Sequence, residues 1–168
     1  RRDAMRVAAQ LGIPFMTFDF EKEYRQKVVD YMVKEYAAGR TPNPDVMCNK
    51  FMKFDLFMKE ADKLGCAFVA TGHYARMEDG KLLAGVDPNK DQTYFLCQMP
   101  REVLKRVLFP VGGMLKTDVR TEAEKRNLVV AGKKDSQGVC FIGEINMTEF
   151  LQDYIEKKPG KIVTTSGE

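Results

Sequence analysis

Two cysteines of this 168-residue chain lie in loops whose composition suits a reactive thiol. Cys48 follows the segment TPNPDVM at 41–47, directly before a stretch patterned as a helix, and Cys140 lies in GKKDSQGVCFIGE at 132–144. A thiolate near a helix N-terminus or beside lysines has a lowered pKa, and it is the nucleophilic form of cysteine. Two such thiols permit a sulfur relay, because a persulfide on one cysteine is cleaved when the other attacks it and forms a disulfide.

The loop before Cys48 is stiffened by Pro42 and Pro44, which fix their own φ angles and disfavour helical backbone in the preceding residues. Asn49 or Asp45 is predicted to cap the following helix, which would place Cys48 near the helix N-terminus and favour its thiolate. Asp45 is also a candidate acid or base. The alternative is that Asp45 is only a cap and Cys48 a small buried residue.

The second cysteine is flanked by permissive backbone positions. Gly138 and Gly143 bracket Cys140, so its thiol is able to approach a partner closely. Lys133 and Lys134 precede it in the same loop and favour its thiolate. The alternative is a short strand with a packed cysteine.

The remaining cysteines are predicted to be core residues. Cys66 begins an apolar stretch and Cys97 lies among Phe95, Leu96 and Met99. Because the chain has no CxxC pair and a single histidine, no metal site is predicted.

The elements that must position these residues alternate between helix and strand. Helices are predicted over 3–11, 21–38 and 51–64, each followed by a glycine, and apolar strands over 13–20 and 66–71. Tyr24 and Val28 belong to the apolar stripe of the second helix. This alternation predicts an α/β protein with a parallel sheet flanked by helices.

Beyond residue 71 the pattern changes. A β-hairpin is predicted with its turn at Asp79-Gly80, a dipeptide suited to the positive φ angles of such a turn. Four short helical segments follow: TYFLCQM, REVLKRVLF, KTDVRTEAEKRN and NMTEFLQDYIEKK. The predicted organisation is an α/β domain over 1–95, a helical connector over 96–158 and the start of a β-rich domain over 159–168. Both ends read as cut within an element.

The bulk composition sets loose limits. The chain has 27 Lys and Arg against 24 Asp and Glu, a net charge of +3 that permits an anionic partner without requiring one. No apolar run approaches the roughly 20 residues of a membrane span. A cytoplasmic location without a membrane is predicted.

Five blocks of the sequence together resemble the bacterial-type tRNA-specific 2-thiouridylase family: GRTPNPDVMCNKFMKF, ATGHYAR, GVDPNKDQTYFL, LFPVGG and KKDSQGVCFIGE. This resemblance implies part of a PP-loop ATPase domain, of the adenine nucleotide alpha hydrolase-like type with a Rossmann-like parallel sheet. It also implies ATP as co-substrate, with Mg²⁺, and 2-thiolation of the wobble uridine of tRNA after adenylation of uracil O2.

The resemblance assigns roles to the proline loop and the two thiols. Cys48 would be the nucleophile and Cys140 the persulfide carrier, joined transiently as a disulfide. Asn43, Pro44 and Asp45 would contact the target base, which must be extruded from its stack to be reached. Asp45 would be the acid or base.

The resemblance also assigns binding residues. Gly72 would contact ATP, and tRNA would be contacted by His73, Lys90, Asp91 and Gln92. For His73 the residues alone favour an ordinary hydrogen-bonded histidine, and for 90–92 a solvated turn.

The implied partners are tRNA and a persulfide donor, either a cysteine desulfurase or a sulfur-relay protein. The pyrophosphate loop of the family is expected upstream of Arg1, so the chain alone is expected not to complete thiolation. Two alternatives stay open: another PP-loop enzyme, such as a ligase, and a non-catalytic RNA-binding or redox-sensing module.

Overall fold

The structure, a computed structural model, describes residues 1–135, 138, 140 and 146–167 and combines helices with two small sheets. Its α-helices are α1 (Arg2–Leu11), α2 (Glu21–Tyr24), α3 (Asp30–Ala37), α4 (Pro44–Met47), α5 (Phe57–Lys63), α6 (Arg101–Leu104), α7 (Lys116–Lys125) and α8 (Met147–Gln152). Its strands are β1 (Val69–Ala70), β2 (Ala75–Glu78), β3 (Lys81–Ala84) and β4 (Val107–Leu108). A 3₁₀ turn spans Thr93–Leu96. The predicted mixed α/β class is confirmed.

Two π-helical segments interrupt the longer helices. Arg25–Val29 joins α2 to α3, and Cys48–Leu56 joins α4 to α5, with right-handed helical backbone at each junction. In a π-helix each N–H bonds the carbonyl five residues earlier, a rare winding that is frequent at functional sites. The helices predicted over 21–38 and 51–64 are confirmed, but the second begins earlier, at Pro44, and the wider winding was not predicted.

The predicted helix ends are confirmed at three glycines. Gly12, Gly39 and Gly65 have φ angles of 64°, 74° and 73°. This left-handed conformation costs glycine little, and it lets the chain leave the helix while its N–H groups bond the last carbonyls.

The sheets are small and of opposite type. Strands β1 and β4 pair in parallel, with Val69 opposite Val107. Strands β2 and β3 form the predicted antiparallel hairpin, whose turn residues Asp79 and Gly80 have φ angles of 49° and 71°. The hairpin prediction is therefore confirmed.

The strand predicted over 13–20 is absent: these residues form neither helix nor strand. A strand exists only through pairing, and no described strand pairs with this segment. Ile13, Phe15 and Met16 are correspondingly exposed. The strand predicted over 66–71 is shortened to the two residues of β1.

The prediction that Cys66 and Cys97 are core residues is wrong, because both are exposed. Cys66 directly follows Gly65, and its N–H bonds Ala61 at the end of α5, so it belongs to the helix terminus rather than to β1. Cys97 follows the 3₁₀ turn, where Leu96 takes the buried position.

The largest core cluster lies between the two π-helical segments. Its buried members are Tyr24, Val28, Val29, Cys48 and Met52. A second cluster joins the end of the Cys48–Leu56 segment to the sheets and consists of Phe54, Ala75, Leu96 and Val107. The segment that begins at Cys48 therefore contributes to both clusters, which fixes its position in the fold.

Three of the four helical segments predicted after the hairpin contain a helical turn at the expected place: Thr93–Leu96, α7 and α8. The fourth, REVLKRVLF, divides into α6 and β4. Residues 159–167 form neither helix nor strand. In the part of the chain that the structure describes, no helix has the length and apolar character needed to cross a membrane.

Candidate functional site

The proline loop ends in an N-cap formed by Asn43. The Asn43 side-chain oxygen accepts hydrogen bonds from the backbone N–H groups of Asp45 and Val46, at 3.1 and 3.2 Å. Pro44 occupies the first turn, where a missing N–H costs nothing. The prediction that Asn49 or Asp45 caps this helix is wrong, because Asn43 lies in extended backbone one residue before the first turn.

Cys48 lies five positions past this cap, inside the continuous helix, and its side chain is 0% exposed. Its own N–H already bonds carbonyls of the preceding turn. The thiol is therefore too far from the free N–H groups of the terminus to be stabilised as a thiolate. A hydrogen bond with Cys140 and burial raise the pKa of Cys48, so the predicted thiolate at this position is wrong for the resting state.

The two cysteines of the hypothesised relay meet in the structure. Cys140 packs against the cluster that contains Cys48, and the two thiols lie within hydrogen-bonding reach although 92 positions (140 − 48) separate them. Both are reduced. The sequence left open whether the two thiols are close together. This short separation suits direct thiol–disulfide exchange.

The two cysteines differ in how readily they lose the thiol proton. Cys48 is fully buried and Cys140 is half-buried, so Cys140 gives up its proton first and accepts a hydrogen bond from Cys48. This hydrogen bond is the main cause that lowers the pKa of Cys140, and the Lys53 ammonium adds to it. The thiolate predicted at Cys140 is thus favoured by Cys48 and Lys53 and not by Lys133 of its own loop, which pairs with Asp3.

The backbone of Cys140 is held at both of its polar groups. The Tyr24 hydroxyl donates to the Cys140 carbonyl oxygen at 2.6 Å, and the Cys140 N–H donates to Asp45 Oδ1 at 3.3 Å. Asp45 thus contacts the residue of one thiol while lying three positions before the other. The structure brings together Asp45, Cys48 and Cys140, the three residues to which the resemblance assigns catalytic roles.

Asn49 carries a buried polar atom without a partner. Its side-chain N–H donates to the Asp45 carbonyl at 2.9 Å, whereas its Oδ1 has no hydrogen bond among the described residues, and the side chain is 1% exposed. An unpaired buried acceptor beside Cys48 and Asp45 is costly, since an amide oxygen loses its hydration on burial. The sequence had suggested this residue only as a cap.

Met52 and Lys53, four and five positions after Cys48, line an aromatic cavity of about 440 Å³. It is lined by Arg1, Phe15, Met16, Thr17, Phe18, Phe20, Met52, Lys53, Phe57 and Thr71. Apolar and aromatic walls with a few polar groups are typical of pockets for flat organic ligands. Gly72 follows Thr71 at the end of β1, and nothing lies within 4 Å of the position its Cβ would occupy. The predicted nucleotide contact at Gly72 thus has open space before it.

His73 points into the core and not toward the cavity surface. It is 7% exposed, its Nδ1 lies 2.8 Å from Thr71 Oγ1, and its ring packs against Phe54 and Phe109. Burial lowers the pKa of His73 to about 4, so the ring is neutral at pH 7. The contact with RNA predicted for His73 stays a prediction.

Of residues 90–92, two shape the local backbone. Asp91 Oδ1 accepts from the Gly85 N–H at 3.0 Å and from Thr93, and Gln92 Oε1 accepts from the Tyr74 N–H at 3.1 Å. These bonds tie the turn to the hairpin. Their predicted contacts with RNA also stay predictions.

Lys90 belongs to a cationic cluster around one carboxylate. Asp135 forms ion pairs with Lys90, Lys116 and Arg120 at 3.1, 3.0 and 2.9 Å. Hydrogen bonds from Lys116 and Lys90 lower the pKa of Asp135 to about 2. These three cations outnumber the Asp135 carboxylate, so the cluster has a net positive charge. Asp135 lies five positions before Cys140 in the sequence.

Two residues of the site were missed by the sequence reasoning. Tyr24 was placed on an apolar stripe, and the signal was available in its hydroxyl, because a buried tyrosine needs a hydrogen-bond partner. Lys53 lies five positions after Cys48, which is a different face on an α-helix, and only the π-winding brings it toward the thiols. Among the described residues, no group of three or more His, Cys, Asp or Glu side chains is placed to hold a metal ion.

The chain is similar to one protein family and to several named proteins. Residues 1–144 match the family described as tRNA methyl transferase HUP domain. The protein named tRNA-specific 2-thiouridylase MnmA from Listeria monocytogenes serotype 4b is 54% identical over 170 residues, covering 99% of this chain and 46% of that protein. Proteins of the same name from Christiangramia forsetii and Flavobacterium johnsoniae are each 54% identical over 169 residues, covering 96% of this chain and 43% of each relative. The chain therefore spans less than half the length of these curated relatives.

Proposed function

The chain belongs to the tRNA methyl transferase HUP domain family, and from this premise we propose that it is the sulfur-transferring part of a tRNA 2-thiouridylase. The whole protein would replace O2 of the wobble uridine with sulfur in an ATP-dependent reaction. The relatives that are 54% identical carry the name of that activity. The proposal extends their activity to this protein.

The observation that carries the proposal is the contact between Cys48 and Cys140 beside Asp45. The family description speaks of methyl transfer, whereas the relatives' names speak of thiolation. A buried pair of reduced thiols is what release of sulfur from a persulfide requires, so the pair favours thiolation.

The proposed relay begins when a donor leaves a persulfide, Cys140–S–SH, on the half-buried cysteine. Cys48 loses its thiol proton to Asp45 and attacks the inner sulfur of Cys140, which forms the Cys48–Cys140 disulfide and expels hydrosulfide. The hydrosulfide would attack C2 of the uracil and lose its proton, and O2 would leave as part of AMP. A thiol reductant then supplies two electrons and returns both cysteines to the thiol state.

ATP, when bound, supplies the adenylyl group that makes uracil O2 a leaving group. The open space before Gly72 and the aromatic cavity beside Thr71 fit a nucleotide and an extruded base. Asn43, Pro44 and Asp45 do not line this cavity, and they would contact the extruded base from the loop that precedes Cys48. Mg²⁺ would accompany the phosphates of ATP.

For the RNA backbone, the cluster of Lys90, Lys116 and Arg120 offers the charge that phosphates require. His73 is neutral at pH 7, so we assign it a hydrogen bond to RNA at most and no ionic contact. Asp91 and Gln92 would act by fixing the turn that presents Lys90.

We further propose the predicted domain organisation for this chain. Residues 1–95 would be part of a PP-loop domain of Rossmann-like type, residues 96–158 a helical connector that carries the second cysteine, and a β-rich domain would begin near residue 159. The persulfide donor would be a cysteine desulfurase or a sulfur-relay protein. The reaction would take place in the cytoplasm.

The test uses the full-length protein that contains this chain, with ATP, a persulfide donor and unmodified tRNA. Nucleosides from the tRNA are analysed by mass spectrometry for 2-thiouridine. We expect thiolation by the unaltered protein and loss of at least about a hundredfold with Cys48→Ala or Cys140→Ala, because each removes one end of the relay. Cys66→Ser is the matched control, since Cys66 is exposed and outside the site.

Other outcomes identify the alternatives. A ligase would keep its activity in Cys140→Ser. A redox module would form the Cys48–Cys140 disulfide but yield no 2-thiouridine under reducing conditions. Normal multiple-turnover thiolation in either alanine variant would contradict the relay.

A further inference from the structure

The placement of Cys140 depends on a tyrosine that the relay itself does not use. Tyr24 ends α2, and its hydroxyl donates to the Cys140 carbonyl oxygen at 2.6 Å, across 116 positions of sequence. On the other side of the same residue, the Cys140 N–H donates to Asp45 Oδ1. The backbone N–H and carbonyl groups of Cys140 are thus hydrogen-bonded to side chains of two different helices.

We propose that Tyr24 is a positioning residue that holds Cys140 against Cys48. The proposal rests on the proposed function for its catalytic meaning, but its physical content is the proximity of the two thiols. In this assignment Tyr24 takes no part in the chemical steps, and it acts through the backbone of Cys140.

The surroundings of Tyr24 support this role. Its ring is buried in the cluster that contains Cys48, so the same side chain packs beside one thiol and anchors the residue of the other. A distance of 2.6 Å lies at the short end of hydroxyl hydrogen bonds. Burial raises the pKa of Tyr24 above its ordinary value, so the hydroxyl remains a donor throughout the physiological pH range.

The hydrogen bond from Tyr24 should raise the effective concentration of the Cys140 thiol at Cys48. Two cysteines far apart in the chain react with each other only as often as the fold brings their sulfur atoms together. A hydrogen bond that holds Cys140 in place raises the fraction of time in contact. Removing the hydroxyl while keeping the ring should therefore weaken disulfide formation without removing either thiol.

The experiment measures the Cys48–Cys140 disulfide in buffers of reduced and oxidised glutathione. The full chain carries Cys66→Ser and Cys97→Ser, which remove the two exposed thiols. Each disulfide formed converts one oxidised glutathione into two reduced molecules, so the equilibrium constant is an effective concentration. The disulfide is quantified by mass spectrometry after alkylation of the remaining thiols.

We expect Tyr24→Phe to lower this equilibrium constant by roughly two- to tenfold, the range of one net hydrogen bond. Tyr31→Phe is the matched control, because Tyr31 is half-buried and lies on the adjoining helix α3. The control should leave the constant unchanged. In the thiolation assay Tyr24→Phe should lower kcat and leave KM for tRNA unchanged.

Equal constants for Tyr24→Phe and the parent, with both folded by circular dichroism, would overturn the proposal. If Tyr24→Phe does not fold, site-specific 3-fluorotyrosine at position 24 replaces it, since its more acidic hydroxyl donates more strongly. That variant should raise the constant, and an unchanged or lower constant would overturn the proposal. The glutathione equilibrium involves neither ATP nor RNA. Its result therefore tests the role of Tyr24 even if the protein does not thiolate tRNA.

Discussion

Lowering the pH from 7 to 5 should destabilise this protein through one identifiable group, His73. It is the single histidine of the chain. Burial lowers its pKa in the folded protein from 6.5 to about 4, whereas in the unfolded chain it titrates near 6.5. Between these two values the unfolded state binds one more proton than the folded state, so acid favours unfolding.

The magnitude follows from the same two values. Each pKa unit corresponds to about 1.36 kcal/mol, so the full difference of about 2.5 is worth about 3 kcal/mol. The contribution is fully present above pH 6.5 and is lost as the pH falls toward 4. By pH 5 the loss is about 2 kcal/mol, a large part of the stability of a domain this size.

The assay is urea unfolding of the chain, followed by far-ultraviolet circular dichroism at pH 7 and pH 5. His73→Gln is the comparison, because glutamine retains a polar partner for Thr71 and does not titrate. Its free energy of unfolding should change by less than about 0.5 kcal/mol between the two pH values. A parent protein as stable at pH 5 as at pH 7, or a variant with the same loss as the parent, would refute the reasoning. So would a midpoint near 6.5 for His73 in the folded protein by NMR.

Two further substitutions test the site and the fold. Lys53→Met should shift the pH profile of Cys140 alkylation by iodoacetamide to higher pH, because the Lys53 ammonium lowers the pKa of that thiol. Lys50→Met on the same helical segment should not, and equal profiles for Lys53→Met and the parent would contradict the assignment. Gly112→Ala should destabilise the protein by at least about 3 kcal/mol, because its Cβ would lie 1.6 Å from a backbone oxygen of β2. Gly113→Ala, which has open space, should change the free energy of unfolding by less than about 1 kcal/mol, and similar values for both variants would rule out the clash.

The sequence was a good guide where structure is decided locally. The helix ends at Gly12, Gly39 and Gly65 and the hairpin turn at 79–80 depend on positive φ angles, which few residue types adopt. The proline loop likewise predicted an ordered segment before Cys48. Its cap was misassigned because three neighbouring polar residues all suit a cap, and the backbone conformation that selects Asn43 is not visible in composition.

The features that depend on distant parts of the chain were beyond local reasoning. Periodicity suggests which side chains are apolar, but it does not show that Cys140 reaches Cys48 or that Tyr24 bonds Cys140. The exposure of Cys66 and Cys97 reflects where neighbouring elements stop. The strand predicted over 13–20 needed a pairing partner, which apolar composition alone cannot supply. The family resemblance implied a transient disulfide between the two cysteines, but whether they are close in the resting state was left open.

The π-winding of Cys48–Leu56 makes the spacing of this segment as important as its residue types. If one residue were deleted here and the winding stayed unchanged, every side chain after the deletion would rotate by roughly a quarter of a turn around the helix axis. Phe54, Met58 and Ala61 would then turn away from the partners they pack against. An insertion or deletion between Cys48 and the end of α5 should therefore be far more damaging than a conservative replacement, and length variation among functional homologues should be confined to the loops outside this helix.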